Sequence, residues 1–136
     1  MNKKIEVPAD MEHLDDVMDA LHGILSDEHV DEELVMKMEL AVEEMYTNIA
    51  NYAYKDGKGN AEVNCVLSDD PREATIVFSD CGVPYNPLER TDPDVTLSAE
   101  ERPIGGLGVF LTKKLMDSVS YEYKDGKNIL TIKKRV

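Results

Sequence analysis

Three short stretches hold side chains whose types and spacing could do chemistry. The first lies in a run of helical period, Leu34, Val35, Met38, Ala41, Val42, Met45, Ile49 and Tyr52. Turning about 100° per residue from Met38, this apolar stripe spans roughly 320° through 0° to 60°. Glu44, Asn48 and Asn51 fall at about 240°, 280° and 220°, all on one flank of the stripe, and Glu43 at about 140°, on the other. A carboxylate and a carboxamide that cooperate from this helix are therefore Glu44 and Asn48, at i and i+4. An Asn so close to a buried stripe is costly unless something bonds it, while a polar flank in water accounts for Glu44 and Asn51 equally well. The second stretch is Asp80-Cys81-Gly82. A carboxylate at the end of an apolar strand can accept from an exocyclic amine, and a glycine two residues on lets a flat ring approach the backbone; a simple turn uses the same residues. The third is Gly105-Gly106-Leu107-Gly108. Backbone N–H groups at a helix start bind phosphate, and glycine permits close approach. It is neither a Walker A sequence nor a dinucleotide fingerprint, and a hinged helix start is the plainer alternative.

These stretches are carried by elements that the rest of the sequence predicts. Residues 3–7 alternate and stop at Pro8, as a short edge strand does. Asp10 stands at an N-cap position ahead of Leu14, Val17, Leu21, Ile24 and Leu25 at helical spacing, with Gly23 weakening the helix near its end. His13, His22 and His29 do not have the spacing of a helical metal pair and predict a solvated face. The helix bearing Glu44 starts after its cap Asp31, with Glu32 and Glu33 at the positive end of the dipole and Val30 stapled to Val35. It runs to about Tyr54, where Lys55-Asp56-Gly57-Lys58-Gly59 breaks it. Residues 61–67 and 73–79 read as strands around Ser68-Asp69-Asp70-Pro71, and Thr75-Ile76-Val77-Phe78 is apolar enough for a buried strand. Residues 81–104 hold four of the six prolines and no sustained period, which predicts a functional loop. A third helix over 109–116 and a hairpin over 119–133, turning at Asp125-Gly126, complete the chain. This order predicts a single α+β domain over 1–136, a mostly antiparallel sheet with helices packed on one face.

Composition narrows the function. Against 28 Asp plus Glu stand 15 Lys plus Arg, a formal charge of −13, which argues against a nucleic-acid or anionic-membrane surface. The basic cluster Lys133-Lys134-Arg135 is short. The first eight residues have no apolar signal-peptide core and no stretch approaches a membrane span, so the expected location is the cytoplasm. Cys65 and Cys81 lack the spacing of a disulfide framework or a zinc site and read as reduced thiols, one in a strand and one in a loop.

In their order and spacing, the run Glu39 to Tyr54 (Glu-Leu-Ala-Val-Glu-Glu-Met-Tyr-Thr-Asn-Ile-Ala-Asn-Tyr-Ala-Tyr), Asp80-Cys81-Gly82-Val83-Pro84-Tyr85-Asn86-Pro87 and Arg102-Pro103-Ile104-Gly105-Gly106-Leu107-Gly108 resemble the anti-sigma-factor serine/threonine kinases. These are small bacterial members of the GHKL ATPase and histidine-kinase superfamily, and the resemblance covers nearly the whole chain. The three segments match that family's N, G1 and G2 boxes. The resemblance implies a Bergerat-type two-layer α/β sandwich holding ATP between the helices and a lid at about residues 83–105. Carried over, Asn48 ligates Mg²⁺ between the phosphates, and Glu44 is the base for the attacking hydroxyl. Asp80 binds the adenine amine with Gly82 beneath the base. Gly105, Gly106, Leu107 and Gly108 form the phosphate and lid turn, and Asn51 and Arg102 complete the nucleotide contacts. Two positions depart from the pattern. Asn51-Tyr52 stands where relatives often have His, and the final strand Asn128-Ile129-Leu130-Thr131-Ile132 lacks a clean match to the hydroxyl residue that supports the adenine carboxylate.

Two functions follow from this resemblance. One is ATP-dependent phosphorylation of Ser or Thr on a small STAS-type anti-sigma-factor antagonist. The other is a nucleotide-sensing switch that sequesters a protein such as a sigma factor with little turnover. A homodimer is compatible with either.

Overall fold

The computed structural model describes residues 1–56, 58–89 and 107–136. Among these, the strands β1 (Asn2–Pro8), β2 (Asn60–Asp69), β3 (Arg72–Asp80), β4 (Ser118–Lys124) and β5 (Lys127–Arg135) form one sheet in the order β1-β2-β3-β5-β4, every neighbouring pair antiparallel. The helices are α1 (Leu14–Asp27), α2 (Glu32–Tyr52) and α3 (Leu107–Leu115). The predicted α+β class and element order are those observed, with the edge strand β1 extending to include Pro8. No helix among the described residues is long and apolar enough to cross a membrane.

The core lies between the sheet and the helices. Strand side chains alternate, so Val63, Cys65 and Leu67 of β2, Ala74, Ile76 and Phe78 of β3, and Leu130 and Ile132 of β5 are buried with Val17, Leu21 and Leu25 of α1 and Met38, Val42 and Met45 of α2. Each fully buried side chain of this size contributes about 1.5–3 kcal/mol. The alternation corrects one expectation: Thr75 and Val77 are only half-buried, because their face of the sheet carries no helix layer, and β3 is central in the sheet without being buried on both faces.

Local chemistry sets the element ends. Asp10 caps, as expected, but what it caps is a single 3-10 turn, Met11–His13, which leads directly into α1; its Oδ1 accepts from the His13 backbone N–H and pairs with the His13 ring. His22 likewise pairs with Glu39 of α2, so two of the three histidines hold carboxylate partners instead of a purely solvated face. The predicted continuation of α2 to Tyr54 is not seen. The Tyr54 side chain is drawn away from the helix, donating to Asn60 O and accepting from Cys81 N. Tyr46, outside the predicted stripe, is fully buried, and its hydroxyl reaches Pro8 O and Asp10 O, tying α2 to the end of β1. The turn at Asp125-Gly126 has positive φ at both residues (54° and 77°), the mirror-image geometry that matches strand twist. Cys65 is buried, which pushes its thiol up to about 11, and Cys81 is exposed; neither is in a disulfide.

Candidate active site

The C-terminal half of α2, the end of β3 and the start of β5 converge on one cleft. Its walls are largely apolar, from Met45, Ile49, Phe78, Val83, Pro87 and Leu130, and its polar groups are Asn48, Asp80, Asn128 and three tyrosines, Tyr52, Tyr85 and Tyr121. The empty space is about 460 Å³ including the open mouth.

Asp80 sits at the floor. It is 6% exposed, the last residue of β3, and its Oδ1 accepts from the Gly82 backbone N–H and from Asn128 Nδ2, both at 2.9 Å. Among the described residues its Oδ2 accepts no hydrogen bond, which leaves it for a donor inside the cleft. Asn128 lies directly across from Asp80 in the β3–β5 register. Its amide also donates to Val83 O at 2.9 Å, while its Oδ1 accepts from Tyr85 N at 3.1 Å and from the Tyr121 hydroxyl. Burial pushes the Tyr121 and Tyr54 phenols up, so both remain donors at neutral pH. The sequence reading sought a hydroxyl in the final strand and missed that the Asn128 amide, with Tyr121 behind it, supports Asp80; the strand register brings them together.

Gly82 is needed for packing. A Cβ there would stand 2.0 Å from Ala53 O at the end of α2, and the next residue, Val83, donates its N–H to that same carbonyl at 2.9 Å. With the Tyr54–Cys81 bond, these contacts fasten the turn after Asp80 to the helix that carries Asn48 and Glu44.

The helical-face argument holds for the carboxylates: Glu43 is exposed, whereas Glu44 and Asn48 are half-buried. Asn48 lines the cleft. Glu44 packs on α3, where a Cβ at Gly108 would stand 2.5 Å from Glu44 Oε2. The first N–H groups of α3, beginning at Leu107, lack helical partners and point a partial positive charge outward. Asn51 is exposed and does not line the cleft. Arg102, Gly105, Gly106 and most of the expected lid (90–105) lie outside the described residues, and Pro87–Glu89 of the lid forms a 3-10 turn.

From Ala53, which touches Gly82, back to Glu44 is nine helical residues, about 13 Å. Asp80, beside Gly82, and the start of α3, beside Glu44, therefore stand at opposite ends of this stretch of α2. No three His, Cys, Asp or Glu side chains converge among the described residues. The oxygens of Asn48 and Glu44 instead suit a hard cation that keeps most of its water and takes one or two protein ligands beside phosphate oxygens, as Mg²⁺ does.

Comparison with known proteins agrees with this geometry. The family model of the histidine kinase-like ATPase domain matches residues 7–134. The chain is 31% identical over 134 residues to the serine-protein kinase RsbW of Listeria monocytogenes, covering 95% of this chain and 84% of that one. It is 30% identical to the serine/threonine-protein kinase BtrW of Bordetella bronchiseptica over 93 residues, 68% of this chain and 65% of that one. Among solved structures, it resembles the RsbU and RsbW domains of a Mycobacterium tuberculosis protein (TM-score 0.67, 15% identity, 98% of this chain and 32% of that one). It also resembles a chain of the SiaB–SiaC complex from Pseudomonas aeruginosa (TM-score 0.64, 16% identity, 98% of this chain and 89% of that one). The two structural likenesses speak for the fold; the sequence matches, with Asn48 and Asp80 lining one cleft, place the chain in the histidine kinase-like ATPase family, among the anti-sigma-factor serine/threonine kinases.

Proposed function

We propose that this chain is an ATP-dependent protein serine/threonine kinase acting in the cytoplasm on a small STAS-type anti-sigma-factor antagonist, as part of a bacterial partner-switching pathway. The observation that carries the reading is Glu44, held on the flank of α2 one turn before Asn48 and pressed against the start of α3. A carboxylate beside a phosphate-binding helix start has little use in a module that only binds nucleotide, since it repels the phosphates. A proton acceptor beside the transferred group is what the reaction needs.

In this reading the adenine amine donates to Asp80 Oδ2, and the α3 amides with Gly108 hold the phosphates. Asn48 would supply an oxygen to Mg²⁺, which when bound would neutralise phosphate charge. Glu44 takes the proton of the Ser or Thr hydroxyl as its oxygen bonds the γ-phosphorus and ADP leaves. Gly105, Gly106 and Arg102 are proposed nucleotide contacts from the family pattern. A sigma factor and a second copy of the chain are further proposed partners.

Single-turnover transfer from labelled ATP to the cognate antagonist tests this. Glu44→Gln should lower transfer by about 10² to 10⁴ with ATP still bound, and Glu43→Gln, on the exposed flank, should be silent. Equal loss in both variants refutes the helical-face argument. ATP binding and partner capture without any transfer by the parent would favour the nucleotide-sensing switch.

A further inference from the structure

Asn128 has all its bonding capacity committed. Its Nδ2 donates to Asp80 Oδ1 and Val83 O, and its Oδ1 accepts from Tyr85 N and the Tyr121 hydroxyl. The amide cannot be turned over. Val83 O can only accept and Tyr85 N–H can only donate, so the two backbone groups alone fix which end of the amide faces Asp80. Tyr121, two residues along β4 from the position opposite Asn128, adds a second donor to the same oxygen.

We propose that Asn128, locked by Tyr121, is a positioning residue that sets the base selectivity of the nucleotide site. With Oδ1 of Asp80 occupied by two donors, the carboxylate presents Oδ2 as a single free acceptor in one orientation. Such an acceptor takes a 6-amino purine and rejects a 6-oxo purine, whose oxygen would face it. Without the Asn128 donor the carboxylate can rotate, and Oδ1 becomes a second acceptor in competition with the first. The same side chain also grips Val83 and Tyr85, the stem of the segment leaving β3. This inference rests on the nucleotide-binding reading of the cleft.

The test compares ATP with inosine triphosphate, which differs at the 6-position, by calorimetry on the parent, Asn128→Ala, Asn128→Asp and Tyr121→Phe, each checked by thermal melt. Asn128→Ala should weaken ATP by about tenfold or more and leave inosine triphosphate nearly unchanged, so the ratio of affinities collapses. Tyr121→Phe should lower the ratio by a smaller factor with folding intact, keeping a readout if Asn128→Ala is too unstable. Asn128→Asp sets two carboxylates against each other, one of which must take a proton, so its ATP affinity should fall with rising pH where the parent's is flat. A purely structural role would weaken both nucleotides equally and give no pH slope. An unchanged ratio in both Asn128→Ala and Tyr121→Phe, with the parent preferring ATP, overturns the inference alone. Failure of the parent to bind ATP overturns the underlying reading and the inference with it.

Discussion

Gly108→Ala is the substitution that most directly tests the link between α2 and α3. The new Cβ would stand 2.5 Å from Glu44 Oε2 and 3.3 Å from Glu44 Cβ and Cδ, where ordinary contact begins at 3.4 Å. The carboxylate oxygen must retreat by about 0.9 Å, while the stem needs only about a tenth of an ångström. Because the obstructed atom is the far end of a flexible side chain, the fold absorbs the change. Exchanging Gly for Ala within a helix returns up to about 1 kcal/mol, less near the helix start. The protein should therefore melt at or slightly above the parent temperature. Chemistry should suffer, since displacing a reacting group by about 1 Å costs roughly 10²-fold, or about 2.7 kcal/mol of barrier. The assay is single-turnover phosphoryl transfer to the antagonist, with ATP affinity and thermal melts on the same preparations. Combined with Glu44→Gln, the second substitution should add little, because both act through one carboxylate. Parent-like transfer by Gly108→Ala alongside a severe loss in Glu44→Gln would show that the position of Glu44 against α3 is immaterial, and would refute the reasoning.

Three other outcomes are expected. Asp80→Asn should weaken ATP binding, measured by calorimetry, by about tenfold or more and narrow its lead over GTP, since a charged acceptor facing an amine becomes a mixed donor and acceptor; equal ATP affinity in a folded variant would reduce Asp80 to a turn residue. Gly82→Ala drives a Cβ into the Ala53 carbonyl, a backbone atom that cannot swing aside, so denaturant melts should show a loss of about 1–3 kcal/mol or more, in contrast to Gly108→Ala. The His13 side chain should titrate above its usual 6.5, because the Asp10 carboxylate bonds it, and Asp10 below its usual 3.8, because His13 bonds it. The stability from His13 is complete below 6.5 and lost as pH rises through its raised value; that from Asp10 is complete above 3.8 and lost as pH falls through its lowered value. NMR titration of His13 in Asp10→Asn should return it toward 6.5, and no movement would show the contact to be absent in solution.

What could be read from the sequence was what depends on near neighbours. The α2 stripe and its flank separated Glu44 from Glu43 because a helix converts spacing into direction without help from the rest of the fold. The Asp125-Gly126 turn fixed the last hairpin for a similar reason. Asn128 and Tyr121 could not be found this way: β5 pairs with β3 across a long stretch of chain, and nothing in the Asn128-Ile129-Leu130 sequence says that the amide will stand opposite Asp80. The packing demand on Gly82 is invisible in the sequence because the approach of the Ala53 carbonyl is a tertiary contact. Tyr46 lies outside the stripe because its buried ring carries a hydroxyl to the backbone oxygens of Pro8 and Asp10, and the apolar run of β3 does not reveal that helices cover only one of its faces.

The sheet also decides where anything joined to this chain can sit. The Met1 ammonium donates to Leu67 O, and Val136 N donates to Arg72 O, so both chain ends leave the sheet beside the β2–β3 turn. Asp80 and Asn128 are at the opposite end of the strands. From Arg72 to Asp80 the strand rises about 26 Å. A linker, an affinity handle or a surface attachment at either terminus therefore hangs from the pole remote from the cleft and leaves its mouth unobstructed. Immobilised through its N- or C-terminus, the protein should take up nucleotide as it does free in solution, and two copies fused end to end should each keep an open site.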